Sequence, residues 1–226
     1  MTEQLLTRAG KVIAYELDRK LVPYLEERFS SVPNFKVIQS DALKADFCDG
    51  IAPAKTARLV ANLPYNISTA ILQRLIDQRT CLTELVLMLQ REVVERMTAP
   101  AGSSERGYLS ILIEAYCEAE KLFDVAPRAF RPVPKVWSSV VRLKFRRQLP
   151  FSVEDEKIFW AVVSAGFSQR RKTILNNLRN APARLSELIK QHGGASIVLC
   201  RAEVDLQRRA ESLTLNEWVR IAQALS

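Results

Sequence analysis

Arg58-Leu59-Val60-Ala61-Asn62-Leu63-Pro64-Tyr65-Asn66-Ile67-Ser68 reads as a strand that stops in a turn and hands over to a helix. Leu59, Val60 and Ala61 form an apolar run of strand length, Pro64 constrains the turn, and Ser68 is a candidate N-cap for a helix from Ser68 to Asp77. Upstream, Lys11 to Glu16 and Phe35 to Gln39 read as strands, with a helix from Arg19 to Phe29 between them. Downstream, Glu84 to Leu89 is strand-like and Arg91 to Met97 helical. Strand and helix alternating at this spacing predict a parallel sheet with crossover helices, an α/β fold.

Beyond Met97 the pattern changes. Ser110 to Cys117, Lys121 to Val125 and Ser138 to Phe145 read as strands without long helices between them, which predicts an antiparallel edge on the sheet. Pro127 to Pro134 is too rich in proline for a central strand and reads as an ordered loop. Helices are expected from Glu154 to Phe167, Arg171 to Arg179, Ala183 to Gln191 and Leu215 to Leu225, so a small all-helical domain closes the chain. The expected division is 1–147 and 148–226, with Gln148-Leu149-Pro150 as linker.

Charge narrows the partner. Across 226 residues, 33 Lys and Arg face 25 Asp and Glu, a net charge of +8. Residues 146–226 carry 13 Lys and Arg against 8 Asp and Glu, so more than half of the surplus lies in the helical part. That favours an anionic partner, nucleic acid first. Cysteines 48, 81, 117 and 200 form no CxxC pair and read as buried, reduced thiols of a cytoplasmic protein. One histidine, His192, beside Gly193-Gly194, leaves no histidine-rich metal site and argues against a Ser-His-Asp triad. No apolar run reaches membrane-span length, and the N-terminus lacks a signal-peptide pattern.

Ligands of open parallel sheets gather at the carboxyl ends of strands. Glu16 stands at one such end, where a carboxylate accepts from ribose hydroxyls, or simply opens the Leu17-Asp18-Arg19 turn as a solvated acid. Asp41 follows another, where it accepts from an adenine amino group or merely shapes the turn. Asn62-Leu63-Pro64-Tyr65 is more specific, though it also reads as a simple strand-ending turn with a packed tyrosine. The Asn62 side-chain oxygen and the Leu63 carbonyl accept both hydrogens of one amino group, and Tyr65 offers a face to a base. An aromatic amine is a poor nucleophile because its lone pair is delocalised; two acceptors hold its nitrogen nearer tetrahedral geometry. In Phe130-Arg131-Pro132-Val133-Pro134-Lys135-Val136, Phe130 is either a second face for an extruded base or a core residue, and Lys135 lies near phosphates. Arg170-Arg171-Lys172 is a candidate RNA grip or a solvated helix start.

Together these segments resemble the ribosomal-RNA adenine dimethyltransferases. Val12 to Asp18, Gln39-Ser40-Asp41-Ala42, Asn62 to Ser68 and Phe130 to Ser138 stand in that family's order and spacing. Met88 to Val93, Gly107 to Ser110, Gln169 to Thr173 and Arg209 to Leu213 are similar as well. The resemblance spans essentially the whole chain and is strongest to the branch that modifies small-subunit rRNA. It implies a Rossmann-like methyltransferase sheet with S-adenosylmethionine as cofactor, no metal, and a monomer acting on the pre-30S particle. By resemblance, Glu16, Leu17, Asp41, Ala42 and Asn62 bind the cofactor. Asn62, Leu63, Pro64, Tyr65 and Phe130 handle the target adenine, and Lys135, Arg170, Arg171 and Lys172 hold RNA.

The family's first strand and its glycine-rich GxGxG loop have no counterpart here. The 7 glycines form no GxG pair, and Met1 to Leu6 resembles the helix that follows that loop. The sheet is therefore expected to lack the strand that lies between its neighbours. Three other readings stay open: a non-catalytic rRNA-binding assembly factor, which the missing loop favours, a large-subunit (erythromycin-resistance-type) rRNA methyltransferase, and a DNA adenine methyltransferase.

Overall fold

The computed structural model describes residues 1–64, 67–149 and 156–226. The chain divides into two compact units, Met1–Val86 and Leu87–Ser226. The first holds α1 (Thr2–Leu6), β1 (Val12–Glu16), α2 (Leu21–Arg28), β2 (Phe35–Gln39), α3 (Phe47–Gly50), β3 (Ala57–Asn62), α4 (Ser68–Asp77) and the start of β4 (Leu82–Gln90). The second continues with α5 (Arg91–Met97), α6 (Tyr108–Tyr116), β5 (Cys117–Val125), β6 (Ser138–Phe145), α7 (Glu156–Gly166), α8 (Ile174–Arg179), α9 (Ala183–Gln191), α10 (Ala195–Arg201) and α11 (Leu215–Gln223).

β1 and β2 are parallel, in register from Val12↔Phe35 to Glu16↔Gln39. Their crossover begins at Asp18, whose carbonyl accepts from Leu21 and Val22 and whose Oδ1 accepts from Lys20 at 2.8 Å. These two strands form one sheet, and the other four form a second in the order β3-β4-β6-β5. β1 and β3 thus fall in separate sheets.

α4 buries Ile71, Leu72, Leu75 and Ile76, an apolar stripe at helical spacing. Its N-cap is Ile67 and makes no side-chain capping bond; Ser68, expected as the cap, is instead the buried first residue of the helix. β5 and β6 form the expected antiparallel pair, from Cys117↔Phe145 to Val125↔Ser138, with an irregularity between Lys121 and Phe123.

Two expectations are corrected. Ser110 to Cys117 is not a strand: residues 108–116 are α6, and β5 starts at Cys117. Leu109, Ser110, Ile111, Leu112, Ile113, Ala115 and Tyr116 are all buried, and a helix apolar on every side loses the periodicity that separates it from a strand. Nor are all the cysteines reduced and buried. Cys48 and Cys81 form a disulfide, Cys200 is exposed, and Cys117 alone is a buried thiol. A sequence separation of 33 hid the proximity of the first pair, which α4 creates by returning the chain.

The closing helices pack on Trp218 and Phe159, both fully buried. Gly166 ends α7 against that indole, where a Cβ would sit 2.3 Å from the Trp218 ring. Thr214 caps α11 in a reciprocal box with Glu217.

Candidate functional site

The parallel ladder sets the first half of the site. Glu16 pairs with Gln39, and the Ser40 amide donates to the Glu16 carbonyl at 3.0 Å, so Glu16 and Asp41 leave neighbouring strands at the same end. Each carboxylate is oriented by the turn it opens. Glu16 Oε1 accepts from the Asp18 amide and Asp41 Oδ1 from the Leu43 amide, both at 2.9 Å. The second oxygen of each has no protein partner among the described residues. Leu17 is 63% exposed, and Ala42 is half-buried beside Asp41.

Asn62 closes β3 with an exposed side chain, while Leu63 is buried and anchors the turn from within. The Pro64 carbonyl accepts from the Ile67 amide at 3.3 Å, which leads into α4. Tyr65 lies outside the described residues.

Two residues that the sequence did not single out join these segments. The Ala45 carbonyl, four residues past Asp41, accepts from Arg74 Nη2 at 3.0 Å and from Gln78 Nε2 at 2.9 Å. The Gln78 amide oxygen in turn accepts from the Phe47 amide at 2.6 Å. With the Cys48–Cys81 disulfide, these bonds tie the segment after Asp41 to the helix after Asn62 and to the chain following it. A glutamine just past an amphipathic helix carries no sequence signal for this; its burial, at 8% exposure, is the sign.

The other residues belong to the second unit. Phe130 follows a short 3-10 turn, its amide donating to the Pro127 carbonyl at 3.1 Å, and is partly exposed; Lys135 is exposed. Arg170, Arg171 and Lys172 lie in the turn between α7 and α8, ahead of the Thr173 cap, rather than at the helix start expected at Arg171. All three are exposed. Arg170 donates to the Ser104 carbonyl, and buried Asn177 holds the turn through the Gly166 and Gln169 carbonyls. Among the described residues no group of His, Cys, Asp or Glu is arranged to hold a metal, and no helix is long and apolar enough to cross a membrane.

A family model described as ribosomal RNA adenine dimethylase matches residues 1–221. This chain belongs to the ribosomal RNA adenine dimethylase family. Among curated relatives, ribosomal RNA small subunit methyltransferase A of Geobacillus sp. (strain WCH70) is 43% identical, over all of this chain and 78% of that protein. The protein of the same name from Hahella chejuensis (strain KCTC 2396) is 41% identical over 98% of this chain and 77% of its own length. The fold agrees. A dimethyladenosine transferase from Plasmodium falciparum superposes with a TM-score of 0.81 at 24% identity, covering 97% of this chain and 83% of that one. The 23S rRNA methyltransferase ErmE gives 0.71 at 25% identity, over 99% and 85%. The two sheets and their helices are thus those of a Rossmann-like dimethylase, and the chain is classed by its family as an adenine-methylating enzyme.

Proposed function

We propose that this dimethylase transfers methyl groups from S-adenosylmethionine to the N6 amino group of adenines in small-subunit rRNA, twice per adenine. The observation that carries the substrate is the identity of 38–43% along essentially the whole chain to proteins named for the small subunit. In this reading residues 1–147 are the methyltransferase domain and 148–226 the RNA-gripping domain of a cytoplasmic monomer that acts on the pre-30S particle.

The residues present suit the nucleoside part of the cofactor. Glu16 and Asp41, at the same end of paired strands and each with a carboxylate oxygen unpartnered among the described residues, accept from ribose hydroxyls and from an adenine amino group. Leu17 and Ala42 flank them. When bound, the cofactor supplies a methyl group already activated by its sulfonium, so no metal is required for the transfer.

The chain's own residues do the rest. The Asn62 Oδ1 and Leu63 carbonyl accept the two hydrogens of the target amine, which localises its lone pair and favours the charge that develops on nitrogen. Pro64 holds the turn, and Tyr65 and Phe130 offer faces to the extruded base. Lys135, Arg170, Arg171 and Lys172 neutralise phosphates and position the RNA.

The test is transfer of labelled methyl groups to undermethylated small ribosomal subunits, with large subunits and duplex DNA beside them. Label in N6,N6-dimethyladenine of small-subunit rRNA is expected. Label confined to large subunits or to DNA would overturn the reading.

A further inference from the structure

Trp137 is 47% exposed, although an indole has more apolar surface to bury than any other side chain. It stands just before β6, and its carbonyl accepts from the Arg91 amide at 2.9 Å, which fixes the backbone beneath the ring. The ring walls an open groove of about 500 Å³ together with Ala126, Pro127, Arg128 and Val133. Val133 is itself 64% exposed. Every wall but Arg128 is apolar.

The segment that lines the groove carries charge of one sign. Arg128, Arg131 and Lys135 are exposed, and no acidic residue occurs from Val125 to Trp137. Asp124, the nearest acid along the chain, is engaged by Lys121 and Ser139. An accessible aromatic face, an apolar floor and a guanidinium rim suit an unpaired nucleotide, whose base stacks while cations follow its backbone. Duplex RNA keeps its base faces covered and offers nothing to an indole. A protein partner would meet three cations with no acid among them to pair its own, so charge favours RNA.

We propose that Trp137 and Arg128 form a stacking platform for one unpaired nucleotide of the substrate RNA, other than the target adenine. The base lies on the indole, Pro127 and Val133 screen its edges from water, and Arg128 takes the adjoining phosphate. The platform rests on the rRNA reading above, and it adds to that reading a preference for a single-stranded neighbour of the modified site.

The probe is a fluorescently labelled, unstructured oligouridylate, titrated into the full chain, with duplex RNA as control. Trp137→Ala is expected to weaken single-strand binding by roughly 5- to 160-fold, the span measured for loss of one stacked base. Its affinity for duplex RNA should be unchanged, and Trp137→Phe, which keeps a ring, should stay close to the parent. An unchanged melting temperature establishes that the alanine variant is folded. Undiminished single-strand affinity in that folded variant overturns the platform, and the rRNA reading stands if the parent protein still methylates small subunits. A parent protein that retains no RNA at all overturns both. Sedimentation in which Trp137→Ala abolishes self-association but leaves RNA affinity intact assigns the groove to a second copy and also overturns the platform.

Discussion

Gln78 accepts the Phe47 amide at 2.6 Å while donating to the Ala45 carbonyl at 2.9 Å, so one side chain satisfies two backbone groups of the segment that follows Asp41. Both bonds are buried, and removing the side chain leaves the Phe47 amide without it, whereas the Ala45 carbonyl still accepts from Arg74. Leaving a buried polar group unsatisfied costs about 1–3 kcal/mol. Gln78→Ala should therefore lower unfolding free energy by an amount in that range. If Asp41 and Ala42 bind the cofactor, it should also raise KM for the cofactor more than it lowers kcat, because the tie positions the binding segment and touches no reacting atom. Denaturant titration and steady-state kinetics read the two effects separately.

The thiols should respond as three classes. Cys200 is exposed and should react at once with a thiol reagent, while Cys48 and Cys81 should appear only after reduction. Burial pushes the Cys117 thiol up to about 12, so it stays neutral and unreactive in the folded chain at pH 10. An unfolded chain ionises this thiol near 9, so between the two values the unfolded state binds fewer protons and stability falls as pH rises. Cys117→Ala should flatten that alkaline decline. Replacing Cys48 and Cys81 by serine should cost about 2–4 kcal/mol, from the loop-closure entropy of a cross-link spanning this length.

Glu217 should show the opposite pH dependence. Its burial alone would raise the carboxyl, but bonds from the Thr214 amide at 2.8 Å, the Thr214 hydroxyl at 2.9 Å and the Arg208 guanidinium outweigh burial and hold it below the usual value of 4.5. A depressed carboxyl stabilises the fold above its unfolded value, and that contribution is lost as pH falls through the folded one. Glu217→Gln should therefore be less stable than the parent at neutral pH, with the gap closing below pH 4.5. Thermal melts across that window measure the gap.

Asn62→Ala should abolish methyl transfer while RNA affinity changes little, because the side chain is exposed at the end of β3 and its proposed partner is the reacting amine. Turnover near the parent level in a folded variant would contradict the role assigned to it.

Arg171 and Lys172 are exposed and have no carboxylate in ion-pair range among the described residues. Replacing both with alanine should weaken binding to rRNA at every sequence. It should also flatten the slope of log affinity against log salt by about 0.7–0.9 for each phosphate that is no longer neutralised. An unchanged slope would remove them from the RNA surface.

The sequence alone was enough for what is written in neighbouring residues. Alternation of β-branched runs with amphipathic stretches placed β1, β2, β3, α4 and α5 within a residue or two, and α9 and β6 at their limits. The same short-range chemistry marked Glu16 and Asp41 at strand ends and Asn62 at a turn. Resemblance across the whole chain then pointed to the family that its relatives confirm. The tertiary structure decided what depends on residues far apart in the chain. α6 buries seven of its nine residues, so no local period marks it as a helix. Cys48 reaches Cys81, and Gln78 reaches Ala45 and Phe47, because α4 folds back over a separation of about 30 residues. Trp137 is exposed for the same kind of reason. Periodicity ranks an indole among core residues, and only the packed positions of its neighbours leave this one facing solvent.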